Sequence, residues 1–192
     1  MNQPKIRWGI VGTGYAKEFA KAIAVLPDAE VVAVTSRYQE SADAFGQEFN
    51  VPHCYDDVAK LARDPNVDVV YVCSAPMFHA EHALELLSQG KAVLVEKPFT
   101  INAAEAKAVY AMAREKGVFC MEALWSRFLP ATQQVAAWLA EDKSAKCARS
   151  SRTSVSAPTG IPANATLRWN AAAAVCSMWG VIRSRSRRWH WA

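Results

Sequence analysis

Gly12-Thr13-Gly14 falls where an apolar run, residues 5–11, gives way to a helical pattern. A glycine pair at that junction permits a tight turn and lets backbone N–H groups approach a pyrophosphate, which a helix N-terminus also attracts. A plain turn between strand and helix would use the same residues. In the G-x-G-x-x-G/A spacing the third small residue falls on Lys17, and Ala16 stands one place early. The helix therefore starts a residue sooner, or a residue has been lost. About twenty residues past the glycines a second apolar run ends in Thr35-Ser36-Arg37. A site for NAD usually places Asp or Glu there to hold the ribose 2′-hydroxyl, whereas an arginine can pair with a 2′-phosphate. Arg37, with Ser36 beside it, therefore selects NADP over NAD; the plain alternative is a solvated arginine at the start of a loop.

Two further groups could do chemistry. Val93–Thr100, VLVEKPFT, leaves a buried strand through a charged pair and a proline. Open α/β sheets bind ligands at the carboxyl ends of their strands, so Lys97 there could supply positive charge or a proton to a carbonyl undergoing reduction. The competing expectation is an ion pair with Glu96. His79 and His82, three apart, could share a helix face, but no third ligand accompanies them and a metal site is not expected. His79 is expected near the cofactor at the end of the third strand, and His82 on the surface.

The elements that must position these residues alternate regularly. Strands are expected at 5–11, 30–35, 67–74, 92–95 and 118–121, and helices at 15–26, 39–49, 56–62, 79–89 and 102–116. Asn102 caps the last helix and Gly117 ends it. Continuous apolar strands alternating with helices give an α/β fold, a doubly wound parallel sheet covered on both faces. The chain has 192 residues, 52% of them hydrophobic, which suits one globular domain with a sizeable core. Its five cysteines form no CxxC and suggest a reducing, cytoplasmic setting. No secretory leader and no apolar run of membrane-spanning length is expected.

"GIVGTG", "VYVCSAPMFHAEHALELLSQGKAVLVEKPF" and "FCMEALWSRFLPA" resemble the nucleotide-binding half of the Gfo/Idh/MocA oxidoreductases. Within that family they are most similar to the dihydrodiol dehydrogenase and NADP-linked xylose dehydrogenase branch. The resemblance covers residues 5 to about 143 and implies a Rossmann domain at 1–121, with 122–143 leading towards a substrate domain. It implies NADP-dependent hydride transfer involving a small hydroxylated or carbonyl substrate, a sugar or cyclic diol, in enzymes that are often homo-oligomeric. It makes Lys97 the active-site lysine, with a Lys-Pro peptide that is commonly cis. Glu96 would lie near the cofactor ribose, and Trp125 and Arg127 by the nicotinamide or substrate. The loop usually written T-P-N-x-x-H reads Ser74-Ala75-Pro76-Met77-Phe78-His79 here. The asparagine contact is lost, and Ser74 and His79 are left on the cofactor side.

Beyond Lys143 the pattern changes. Residues 144–192 hold eight Lys or Arg and no Asp or Glu, against 14 basic and 18 acidic residues before them. The family's glycine run and its D-V-G-x-Y/H-P segment, which supplies an Asp and a Tyr or His to the catalytic set, are missing. The tail reads as this second domain translated out of frame. Met178-Trp179-Gly180 encodes Val-Gly one base earlier, and Val175–Arg183 then permits G-V-L-D-V-G-G-Y-P. An irregular tail without a packed core, and a weakly active or inactive chain with the dimer-forming domain missing, are the expectations. The other reading is a basic, tryptophan-rich arm binding nucleic acid or an anionic surface; it is disfavoured.

Overall fold

The computed structural model describes residues 5–140. Six strands form one parallel sheet: β1 (Ile6–Val11), β2 (Ala29–Thr35), β3 (His53–Tyr55), β4 (Val69–Val72), β5 (Ala92–Val95) and β6 (Cys120–Glu122). Helices α1 (Ala16–Ala24), α2 (Gln39–Phe49), α3 (Val58–Ala62), α4 (His79–Ser88) and α5 (Ala103–Lys116) connect them. A short 3-10 turn at Trp125–Phe128 leads into α6 (Pro130–Ala140). The spatial order is β3-β2-β1-β4-β5-β6, the doubly wound Rossmann arrangement. Strand order reverses between β1 and β4, which opens a crevice at the carboxyl ends of those two strands.

Period-two alternation divides the strands between two cores. Trp8 and Ile10, Val69 and Tyr71, and Leu94 face α1 and α2, where they meet Phe19, Ile23 and Phe45. Val11, Val70, Val72, Val93 and Val95 face the other way, onto Leu61, Leu86, Leu87, Val109 and Ala113 of α3, α4 and α5. Leu86 and Leu87 are completely buried. Each such leucine is worth roughly 1.5–3 kcal/mol of burial, so truncating either would loosen the sheet's cover. Asn102 caps α5 as expected, its side chain accepting from the Glu105 amide at 2.9 Å, and Gly117 closes the helix in the left-handed region at φ 64°.

The structure differs from the sequence expectations at several places. A sixth strand, β3, sits at the sheet edge. Asp57 is the N-cap of a shorter α3, its side chain accepting from the Ala59 amide at 2.9 Å. Helix α1 starts at Ala16, which is fully buried, while Lys17 is exposed and pairs with Glu48 at 2.6 Å. Ala16 therefore takes the third small position. Helix α6 occupies part of the stretch read only as a link. The out-of-frame reading, with Cys147, Cys176 and the tail tryptophans, falls at 144–192, outside the described residues. Among the described residues no helix is long and apolar enough to cross a membrane.

Candidate functional site

The turn after β1 is built into the sheet. Gly12 donates from its amide to Thr35 O at 2.9 Å, and the Cys73 thiol donates to Gly12 O at 3.1 Å. Burial pushes that thiol far above its usual range, so it remains a donor. Gly12 has φ 98°, and a Cβ there would sit 3.0 Å from the Cys73 carbonyl and the Ser74 amide nitrogen. Only glycine suits that position. Around Gly14, by contrast, a Cβ would meet nothing within 4 Å. Tyr15, the N-cap of α1, makes no side-chain cap bond. Space above Gly14 and uncapped amides at a helix start are what a dinucleotide's pyrophosphate requires. The residues therefore fit the cofactor expected from the sequence, with Thr13 between the glycines on the same turn.

At the end of β2, Ser36 donates its amide to Tyr55 O at 3.1 Å, which anchors the loop. Arg37 is exposed, with its guanidinium over the Tyr38 ring at 5.5 Å, and no carboxylate partners it among the described residues. At the end of β4 the two histidines sit in different surroundings. His79 is 1% exposed, and its ring bridges two carbonyls, Nδ1 to Pro98 O and Nε2 to Ser74 O, each at 2.9 Å. Both nitrogens face protein carbonyls, which sets the ring between the loop after β4 and the loop after β5. His82, expected on the surface, is half-buried beside that loop. Its Nδ1 lies 2.9 Å from Ser74 Oγ, and Phe78 stacks on it at 5.8 Å. Burial holds its pKa below the usual imidazole range.

The loop after β5 is pinned from three directions. Tyr71 Oη donates to Glu96 Oε1 at 2.8 Å, and the Lys97 amide donates to Glu96 Oε2 at 2.9 Å. His79 holds Pro98 O, and the Phe99 amide donates to Glu122 Oε1 at 3.1 Å. The Lys97–Pro98 peptide is cis. Lys97 itself is exposed, and the ion pair with Glu96 considered from the sequence does not form: the ammonium has no ion-pair partner among the described residues. Glu96 has both oxygens engaged by protein. Trp125 and Arg127 lie on the 3-10 turn past β6, Trp125 half-buried and Arg127 exposed. The fold thus brings the glycine turn, Ser74, Glu96 and Lys97 to adjacent strand ends, with Arg37 one strand to the side. Tyr71 and Glu122 were not singled out from the sequence. Strand alternation was the available signal for Tyr71, because it puts Tyr71 and Glu96 on one face.

The family described as an oxidoreductase family with an NAD-binding Rossmann fold, Gfo/Idh/MocA, matches residues 6–124. A trans-1,2-dihydrobenzene-1,2-diol dehydrogenase from Mus musculus is 47% identical over 131 residues, 67% of this chain and 39% of that protein. The Homo sapiens dehydrogenase of the same name is 40% identical over 139 residues, 71% of this chain and 42% of that protein. The chain thus spans about two-fifths of these relatives' length. A 3-ketoreductase from Actinomadura kijaniata, solved with TDP-benzene and NADP, superposes with a TM-score of 0.66 at 33% identity, over 71% of this chain and 44% of that one. The described residues carry the glycine turn, the doubly wound strand order and the pinned Glu96-Lys97-Pro98 loop, and the chain belongs to the Gfo/Idh/MocA oxidoreductase family.

Proposed function

We propose that this chain binds NADP(H) and forms the cofactor side of a dehydrogenase acting on a small hydroxylated or carbonyl substrate. Bound NADP(H) would supply or accept the hydride at nicotinamide C4. The amides of Thr13 and Gly14 and the start of α1 receive the pyrophosphate, and Arg37 pairs with the 2′-phosphate. Lys97 donates a hydrogen bond to the substrate oxygen, stabilises the negative charge that grows there on reduction, and can pass it a proton. The observation that carries this reading is an exposed, unpaired lysine held on an immobilised loop beside a glycine turn open to a ligand.

The relatives' names support a cyclic diol or a ketone as substrate class. The described residues line the cofactor side, and precise positioning of a substrate against it can supply roughly 7–11 kcal/mol of a barrier. The test is direct titration of the full chain with NADPH, followed by nicotinamide fluorescence. Saturable binding that also shields Lys97 from an amine reagent supports the reading. No binding at millimolar NADPH overturns it.

A further inference from the structure

Lys97 follows a glutamate in sequence, and an ion pair between the two is the competing expectation. The pair does not form, and the reason lies one strand away. Tyr71 pairs with Leu94 in the β4–β5 register, and Glu96 is two residues beyond Leu94 on the same face of the sheet. The glutamate side chain therefore turns towards the α1 side and meets the Tyr71 hydroxyl at 2.8 Å. Tyr71 is 5% exposed and stacked on Phe19 of α1, with centroids 4.0 Å apart and an interplanar angle of 14°, so the hydroxyl has little freedom. Burial pushes the phenol well above its usual range and keeps it a donor. The second carboxylate oxygen accepts from the Lys97 amide at 2.9 Å, and the Glu96 amide donates to Val72 O at 2.8 Å. Carboxylate and backbone are both fixed.

We propose that Tyr71 is a positioning residue for Lys97: by holding the Glu96 carboxylate, it denies the lysine an ion pair with its neighbour and leaves the ammonium free for a ligand. The inference rests on the reading of Lys97 as the site lysine, but its test does not need bound nucleotide. The full chain is labelled with an amine-reactive succinimidyl ester at mildly alkaline pH. The rate at Lys97 is measured by peptide mass spectrometry against exposed Lys107 as internal reference.

Tyr71→Phe keeps the ring and its stack but releases Glu96, which then captures the ammonium; labelling of Lys97 should slow about threefold, the order expected of an exposed ion pair. Adding Glu96→Gln should restore the wild-type rate, because no carboxylate remains to capture the lysine. Glu96→Gln alone should leave the rate where it was. Wild-type labelling in a folded Tyr71→Phe variant, or failure of the double variant to recover, overturns the proposal. Faster labelling in Glu96→Gln alone also overturns it, since Glu96 would then already pair with Lys97; this arm decides if Tyr71→Phe does not fold. Failure of NADPH to shield Lys97 would count against the proposed function and leave these rate comparisons standing.

Discussion

The two ends of the sheet treat charge in opposite ways. At the amino end cations are satisfied by protein. Arg7 makes a two-pronged contact with Asp68, at 3.0 and 2.7 Å, and Lys5 meets Glu30 at 3.2 Å. Lys91 donates to Asp64 O and Val67 O, at 2.6 and 2.8 Å. Asp64, before β4, accepts from the Asn66 amide at 2.8 Å, and its other oxygen meets His53 and Tyr55 of β3, which pairs with the carboxyl half of β2, at 2.6 and 3.1 Å. At the carboxyl end Arg37, Lys97 and Arg127 are exposed without a carboxylate partner among the described residues, while the loops carrying Arg37 and Lys97 are tied down by hydrogen bonds. One end spends its charges on holding strands together. The other leaves these three cations without an ion pair among the described residues.

That contrast breaks most easily at Asp64. Its side chain is only 2% exposed and is the shared acceptor for β3 and the turn before β4. Asp64→Ala should cost about 3 kcal/mol in urea unfolding, since it leaves His53, Tyr55 and a backbone amide without their acceptor. A loss under about 0.5 kcal/mol would contradict the structural role assigned to this end.

Acid should expose the same asymmetry more gently. Burial alone would raise both Asp64 and Asp68, but bonds from Asn66, His53 and Tyr55 in one case, and from the Arg7 side chain and amide in the other, outweigh it and hold both carboxyls below their usual value. A carboxyl depressed in the folded state stabilises the fold above its unfolded pKa, and that contribution disappears as pH falls through the folded value. Stability should therefore decline from about pH 5 downward, and Asp68→Asn should flatten the decline. An unchanged slope in that variant would remove Asp68 from the account.

The smallest effect is expected at the other end. Lys97→Ala and Arg37→Ala remove exposed charges that make no ion pair among the described residues, so each should change unfolding stability by less than about 0.5 kcal/mol. A cost as large as that of Asp64→Ala would mean these cations serve the fold after all.

Much of this division could be read from the chain. The glycine turn, the continuous apolar strands, the Asn102 cap and the charged exit at Glu96-Lys97-Pro98 all have local causes, and the structure places them where their local chemistry requires. What escaped were features made by long-range pairing. His53-Cys54-Tyr55 is too short to show alternation and follows a proline, so β3 exists only because β2 offers an edge. Helix α6 opens on Pro130, a favoured first position, yet its Val135, Trp138 and Leu139 are exposed and no burial pattern pointed to it. The sequence places His79 at the strand end; its two carbonyl neighbours, Ser74 O and Pro98 O, come together only through the fold. The same holds for Tyr71 and Glu96, separated by 25 residues.

The out-of-frame reading of 144–192 has its own test in the nucleotide sequence from the Lys143 codon onward. The shifted frame should encode the glycine run and the segment with its Asp and Tyr, and a stop codon before them would end that reading.

The claim that the carboxyl-end cations await a nucleotide is tested most directly by comparing NADPH with NADH. A charge-assisted pair between Arg37 and a 2′-phosphate is worth roughly 1.5–3 kcal/mol, so the full chain should bind NADPH at least about tenfold more tightly than NADH. Arg37→Ala should erase most of that gap while leaving NADH affinity unchanged. Equal affinities in the wild-type chain, or a preference that survives Arg37→Ala, would contradict it.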